Sequence, residues 1–186
     1  DINKFNISQN IGKYFLAGGR FIPHKRLDLA ILAFNKLNIP LKIFGDGPDW
    51  KRLQKMARAN IEFLGKVTEE EKANLMSGCL AFIHPQEEDC GITAVEVLAS
   101  GRPVIAYGRG GAMETIQENV SGIFFHQQSW EELADAVLRF LYNEHNFNPQ
   151  VIKQSAERFS SERFKSEISE FVNSVIASDR NDNIKL

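Results

Sequence analysis

Glu87-Glu88-Asp89-Cys90-Gly91-Ile92-Thr93-Ala94-Val95-Glu96-Val97-Leu98-Ala99-Ser100-Gly101-Arg102-Pro103-Val104-Ile105-Ala106 is the stretch on which the fold turns. The apolar run Leu80-Ala81-Phe82-Ile83 precedes it and reads as a buried strand, and a second run, Pro103 to Tyr107, closes it. Between them lie an acidic loop, the lone Gly91, and a short helix that stops at Gly101. Strand, loop, helix and strand form one βαβ unit, whose helix starts beside the C-terminal end of a strand. In open α/β sheets that edge is where ligands bind. The backbone N–H groups of Gly91, Ile92 and Thr93 would open the helix and suit a phosphate. Glu88 and Glu96 have seven residues between them, one in the loop and the other about one turn into the helix. Both are expected to face the same crevice.

The rest of the chain continues the alternation. Lys13 to Gly19 is the first strand, and Gly18-Gly19-Arg20 begins a loop that Pro23 keeps from turning helical early. Leu27, Ala30, Ile31, Phe34 and Leu37 recur at helical spacing. Leu41 to Phe44 is a strand ended by the breaker run Gly45-Asp46-Gly47-Pro48, and Asp49 to Arg58 is a helix. Ile61 to Gly65 is strand-like, and Thr68 with Glu71 forms a capping box for the next helix. Gly108-Arg109-Gly110-Gly111 reads as a flexible turn, followed by a short helix through Met113 to Gln117 and a strand over Gly122 to Phe125. Ser129 caps a helix whose apolar face is Trp130, Leu133, Ala134, Val137, Leu138 and Leu141. Strands and helices thus alternate some six times, which predicts an α/β, three-layer Rossmann-like domain with a parallel sheet of about six strands. Residues 1–12 read as a linker or domain entry. Near residue 146 the alternation gives way to helices alone, over 147–178, and 179–186 are expected to be a disordered tail.

Length and charge narrow the classes. A chain of 186 residues suffices for one domain with a full core, and 43% apolar content is that of a globular protein. A net charge of −2 supplies no basic field for nucleic acid or an anionic membrane surface. Cys79 and Cys90 lack metal-ligand spacing and read as free thiols of a reducing compartment, with a cytoplasmic location. No apolar run approaches the roughly 20 residues of a membrane helix, and no signal-peptide pattern opens the chain. It begins at Asp1, without Met, which is expected of a fragment of something longer.

Arg20 and Lys25 follow the first strand, five residues apart, behind a Gly18-Gly19 turn. Two such cations can clamp a diphosphate through charge-assisted bonds of roughly 1.5–3 kcal/mol each; the alternative is a pair of solvated loop cations. Glu88 and Glu96 make poor candidates for the acid and base of a hydrolase, since nothing fixes their separation. They make better acceptors for sugar or ribose hydroxyls. His24 reads as loop surface and His84, at the end of the central strand, as a structural residue that points at the crevice. No Cys/His cluster provides a zinc site, and neither a Gly-x-Gly-x-x-Gly helix start nor a Walker loop is present.

Taken together, these stretches resemble the C-terminal, donor-binding domain of the family 4 retaining glycosyltransferases of GT-B fold. The resemblance is carried by Gly19-Arg20-Phe21-Ile22-Pro23-His24-Lys25, Ile43-Phe44-Gly45-Asp46-Gly47-Pro48 and Ile61-Glu62-Phe63-Leu64-Gly65-Lys66-Val67. Pro85 through Gly91, Glu96, Gly101-Arg102-Pro103-Val104-Ile105 and Gly110-Gly111-Ala112-Met113-Glu114 continue it. It runs from about residue 13 to about 175. Alone the Glu-x7-Glu element is weakly specific; the blocks in this order are strong. The resemblance implies that Arg20 and Lys25 hold the donor diphosphate and that Glu96 binds the ribose hydroxyls. Glu88 would contact the transferred sugar and help stabilise positive charge at its anomeric carbon. Gly19 and the backbone of Gly91, Ile92 and Thr93 would meet sugar and phosphates, and Lys66 and Val67 would line the base pocket. Cys90 departs from the pattern, standing where the family often has an aromatic residue, which leaves the sugar-side wall undefined.

Tyr107-Gly108-Arg109-Gly110-Gly111-Ala112-Met113-Glu114 is similar to bacterial mannosyltransferases of surface-polysaccharide assembly. That implies GDP-mannose as donor, no metal or other cofactor, and a lipid-linked or polysaccharide acceptor, with a UDP-hexose as the alternative donor. It also implies a partner that is absent here, an N-terminal acceptor-binding domain, through which the enzyme would associate peripherally with the inner face of the cell membrane. The isolated domain would bind nucleotide sugar and transfer nothing. Phe164, Ile168, Phe171, Val172 and Val175 line one face of the last helix, either packed on the domain or exposed as a self-association patch. Three rivals stay open: a nucleotide-binding module without chemistry, a GT-B-fold epimerase of a UDP-amino sugar, and an NAD-dependent dehydrogenase, the last weakened by the missing glycine fingerprint.

Overall fold

The computed structural model describes residues 2–182, with side-chain burial through residue 176. Six strands, β1 (Phe15–Arg20), β2 (Leu41–Asp46), β3 (Ile61–Gly65), β4 (Phe82–His84), β5 (Val104–Tyr107) and β6 (Gly122–Phe125), form one sheet in the order β3-β2-β1-β4-β5-β6. Every neighbouring pair is parallel. The helices are α1 (Leu27–Leu37), α2 (Trp50–Met56), α3 (Glu69–Gly78), α4 (Ile92–Ala99), α5 (Ala112–Thr115), α6 (Trp130–Asn143), α7 (Pro149–Ala156) and α8 (Ser161–Asp182). Helix α1 packs with α2 and α6, while α4 packs with α3, α5 and α7, so the sheet lies between two helical layers.

The sequence accounts for this burial. A parallel sheet covered on both faces needs strands that are apolar on both sides, and Phe15-Leu16-Ala17 and Val104-Ile105-Ala106 are buried without alternation. Phe15 meets the Phe34 ring of α1 edge-on at 5.2 Å and the Phe140 ring of α6 at 5.7 Å, which fixes both helices over β1. The chain winds outward from β1 to β3 and then crosses to β4 on the other side of β1. The strand order therefore reverses between β1 and β4, and their C-terminal ends open a crevice there.

Both expected caps form. The Thr68 hydroxyl accepts from Glu71 N at 3.2 Å while Thr68 N donates to the Glu71 carboxylate at 2.7 Å, and Ser129 Oγ accepts from Glu132 N at 3.2 Å. Other expectations need correction. Leu138 is half exposed, and the buried stripe of α6 runs instead through Leu133, Ala134, Ala136, Val137 and Phe140. The helix after β5 covers Ala112–Thr115 and ends before Gln117. Residues 2–12 are part of the domain. Phe5 is buried, its carbonyl accepts from Lys153 Nζ at 2.7 Å, and Gly12 N donates to Gly78 O at 2.8 Å. Helix α8 continues through Asp182, four residues into the expected tail, and 183–186 lie outside the described residues. Phe164 and Phe171 on α8 are 65% and 63% exposed, so that apolar face does not pack on the domain. Among the described residues no helix is long and apolar enough to cross a membrane.

Candidate functional site

The crevice at the β1/β4 switch point is a cleft of about 720 Å³, walled by His24 and Lys25 on one side and by the run Glu87 to Thr93 on the other. Lys25 ends a short 3₁₀ turn, Pro23–Lys25, that the chain makes on leaving β1. Its ammonium forms an ion pair with Glu88 Oε1 across the cleft. Burial lowers the Lys25 pKa. Arg20, by contrast, ends β1 exposed, with no ion pair among the described residues. Gly19 lies beneath Lys25, where an added Cβ would stand 4.0 Å from the lysine Cε. His24, Glu87 and Asp89 are exposed.

Behind Glu88 lies a buried polar group. His84 and Gln86 are 1% and 4% exposed. The Gln86 amide nitrogen stands 3.1 Å from His84 Nδ1 and donates to Glu88 Oε2 at 3.3 Å, while His84 Nε2 lies 3.6 Å from the same oxygen. Burial, and then the positive charge of Lys25, push the His84 pKa down from 6.5 to about 4. The unfolded chain therefore takes up this proton more readily. The stabilisation is complete above pH 6.5 and is lost as the pH falls through about 4, a change of roughly 3 kcal/mol. Denaturant titrations between pH 4 and 7 should show this slope in the native protein and a shallower one in His84→Phe; equal slopes would remove His84 as its source.

Two further contacts hold the loop that carries Glu88. The turn after β5, expected to be flexible, is a fixed support: Gly111 N donates to Glu88 O at 2.7 Å. A Cβ at Gly111 would come within 2.2 Å of Asp89 O, so the loop rests directly on a side-chain-free backbone. On the other side Arg26 Nη1 donates to Gln128 Oε1 at 2.8 Å, and Gln128 Nε2 donates to Pro85 O at 3.0 Å, which ties the lysine loop to the glutamate loop. Phe21 anchors the lysine loop from below. It is fully buried, stacked on Trp50 at 5.3 Å and edge-on to Phe63 at 6.1 Å. Arg26 and Gln128 belong to no local motif, and Gln86, though inside the block Pro85 to Gly91, is marked as functional only by its burial beside Glu88.

Glu96 does not share the cleft with Glu88. It lies four residues after Ile92 on the side of α4 that faces α3, where its carboxylate accepts from Lys72 Nζ at 3.1 Å. Burial disfavours the Lys72 charge, and its bonds to Glu69 and Glu96 outweigh this, so its pKa is raised. Glu96 lines a second hollow of about 640 Å³ with Phe5, Val95, Phe159 and Phe164. The two hollows meet at Cys90 and Ile92, which line both. Gly91 caps α4 in a left-handed conformation (φ 63°), leaving Ile92 68% exposed at the shared lip with Thr93 behind it. Lys66 is 83% exposed and 3.6 Å from Asp46; with Val67 it borders a third hollow between β3 and α3, of about 460 Å³. The structure thus gathers Gly19, Lys25, Glu88, Gly91, Ile92 and Thr93, leaves Arg20 exposed at the end of β1, and sets Glu96, Lys66 and Val67 at separate hollows. Cys90 is exposed at the lip, whereas Cys79 is buried and its thiol is pushed up to about 12 by burial. Among the described residues no three His, Cys, Asp or Glu side chains could hold a metal ion together.

The family model described as "Glycosyl transferases group 1" matches residues 2–159, from the entry segment to two residues before α8. The chain belongs to this family. A glycosyltransferase of Methanocaldococcus jannaschii is 31% identical over 150 residues, which are 77% of this chain and 42% of that protein. The GDP-mannose-dependent alpha-mannosyltransferase of Corynebacterium glutamicum is 31% identical over 127 residues, 68% of this chain and 30% of that protein. Among solved structures, Anabaena Alr3699/HepE in complex with UDP and glucose superposes with a TM-score of 0.77 at 22% identity, covering 94% of this chain and 55% of that one. The fold is thus that of GT-B glycosyltransferase domains, and this group 1 chain spans less than half the length of these two relatives.

Proposed function

We infer that the chain is the donor-binding half of a retaining glycosyltransferase that takes a nucleoside-diphosphate sugar, with GDP-mannose as the donor. The observation that carries this is the meeting of Lys25, Glu88 and the α4 N-terminus in one cleft at the switch point. A diphosphate entering that cleft meets the exposed Arg20 and the free N–H groups at Ile92 and Thr93, and replaces Glu88 as the counter-ion of Lys25. Glu88, released, is then available to the sugar. As the sugar–phosphate bond breaks, negative charge grows on the leaving diphosphate, and Arg20, Lys25 and the helix terminus stabilise it more than they stabilise the ground state. These cations take the role a metal would otherwise fill, so the reaction is metal-independent. Glu96, oriented by Lys72, accepts the ribose hydroxyls, and Lys66 and Val67 border the base. A further domain of the same enzyme supplies the acceptor, a lipid-linked sugar or polysaccharide, at the cytoplasmic face of the membrane.

A mannosyl donor is supported by the GDP-mannose-dependent relative. A UDP-hexose is the second reading, supported by the fold neighbour that holds UDP and glucose. Calorimetric titration of the chain with GDP, UDP and ADP, with and without magnesium, tests both. GDP binding that is indifferent to magnesium and lost in Glu96→Ala is the expected result. Preference for UDP would replace the donor, dependence on magnesium would end the metal-independent mechanism, and binding of none would overturn the site.

A further inference from the structure

Four buried or half-buried polar groups, Lys25, His84, Gln86 and Glu88, form one connected set, and donor binding uses only the first and last of them. We propose that Gln86 is the positioning residue for Glu88, its side-chain amide clamped between His84 Nδ1 and Glu88 Oε2 so that the carboxylate is aimed into the cleft. This rests on the donor-site reading above and adds to it the means by which the sugar-facing carboxylate is held.

The contacts fix the direction of each bond. A carboxylate oxygen only accepts, so the group at 3.3 Å from Glu88 Oε2 is the amide nitrogen of Gln86; the opposite amide orientation would set two oxygens against each other. The second hydrogen of that NH₂ meets His84 Nδ1 at 3.1 Å. Nδ1 is then an acceptor, and the neutral ring carries its proton on Nε2, which faces Glu88 Oε2 at 3.6 Å. The ring is confined by burial: it is 1% exposed and lies beside the Phe82 ring at 6.4 Å. One carboxylate oxygen therefore belongs to Lys25 and the other to the Gln86–His84 pair. When a diphosphate takes Lys25, the second oxygen remains held. Gln86 thus keeps Glu88 from following its cation out of the sugar site, and it does so from a position with almost no exposed surface of its own.

The prediction separates the sugar from the phosphates. In Gln86→Leu, which keeps the bulk and removes both donors, the Kd for UDP and GDP should stay within about twofold of the native value. The ratio of nucleotide-sugar to nucleoside-diphosphate Kd, measured with UDP-glucose and GDP-mannose, should change by about tenfold, the weight of one hydrogen bond to a charged group. ¹⁵N NMR of the His84 ring should show the Nε2–H tautomer in the native chain and lose that exclusive preference in Gln86→Leu. Gln86→Met serves if the leucine variant does not fold. An unchanged Kd ratio, or a native His84 protonated on Nδ1, would overturn the proposal. Failure of the native chain to bind any of the four ligands would instead overturn the donor-site reading, and the His84 tautomer would still decide whether the Gln86 clamp exists.

Discussion

Lys25→Ala is expected to weaken nucleoside-diphosphate binding by roughly 100-fold, more than one lost charge-assisted hydrogen bond contributes on average. The excess comes from Glu88. In the native cleft its carboxylate is neutralised by Lys25. Without the lysine, an unpaired anion only one-fifth exposed stands where the diphosphate must enter. The double variant Lys25→Ala/Glu88→Gln separates the two effects. It should recover part of the affinity, while Glu88→Gln alone should bind the nucleoside diphosphate more tightly than the native chain, because no ion pair has to be broken first. Isothermal titration of the four proteins with GDP or UDP forms a complete double-mutant cycle. Native affinity in Lys25→Ala would refute a phosphate role for this residue, and independent effects of the two substitutions would refute the exchange of counter-ions.

Gly45→Ala should destabilise the fold by more than about 4 kcal/mol. The residue sits at φ +117°, and an added Cβ would lie 1.9 Å from Gly19 O, a backbone atom that cannot step aside without parting β1 from β2. The register pairs Gly19 with Gly45 and Arg20 with Asp46, so the strain would fall at the root of the lysine loop. Gly19→Ala is the control. Its φ is +130°, but its Cβ meets nothing closer than 4.0 Å, so only the backbone cost of about 1–3 kcal/mol remains. Urea unfolding of the two variants should rank them in that order, and equal stabilities would show that the contact between the strands is not what fixes Gly45.

The sequence was most informative where one short stretch contains the whole physical cause. Thr68 and Glu71 cap α3, and Ser129 caps α6, because each partner lies within a single turn. The apolar run Phe82-Ile83 and the run Val104 to Ala106 could be read as strands because parallel strands covered on both faces need no alternation. Longer-range features were less legible. Gly108 to Gly111 looks like a flexible turn in sequence, yet it bears the Glu88 loop through contacts between segments some twenty residues apart. Leu138 fits the apolar stripe of α6 by spacing, but the surface it would meet is not there, and Phe140 fills the core instead.

From its sequence alone this protein is a three-layer α/β domain with a crevice expected after its first and fourth strands, because hydrophobic periodicity and turn chemistry are local. Its membership of the glycosyl transferases group 1 was legible there too, through the order of its motif blocks. Tertiary structure alone decided that Lys25 is neutralised by Glu88, that Glu96 turns away from the shared cleft towards Lys72, and that Gln86 and His84 lie buried behind the glutamate. The Lys25–Glu88 and Lys72–Glu96 pairs join distant segments, and the contacts among His84, Gln86 and Glu88, though local in sequence, depend on the burial that the surrounding fold imposes; distance and the cost of burying charge choose such partners, and neither has a period along the chain.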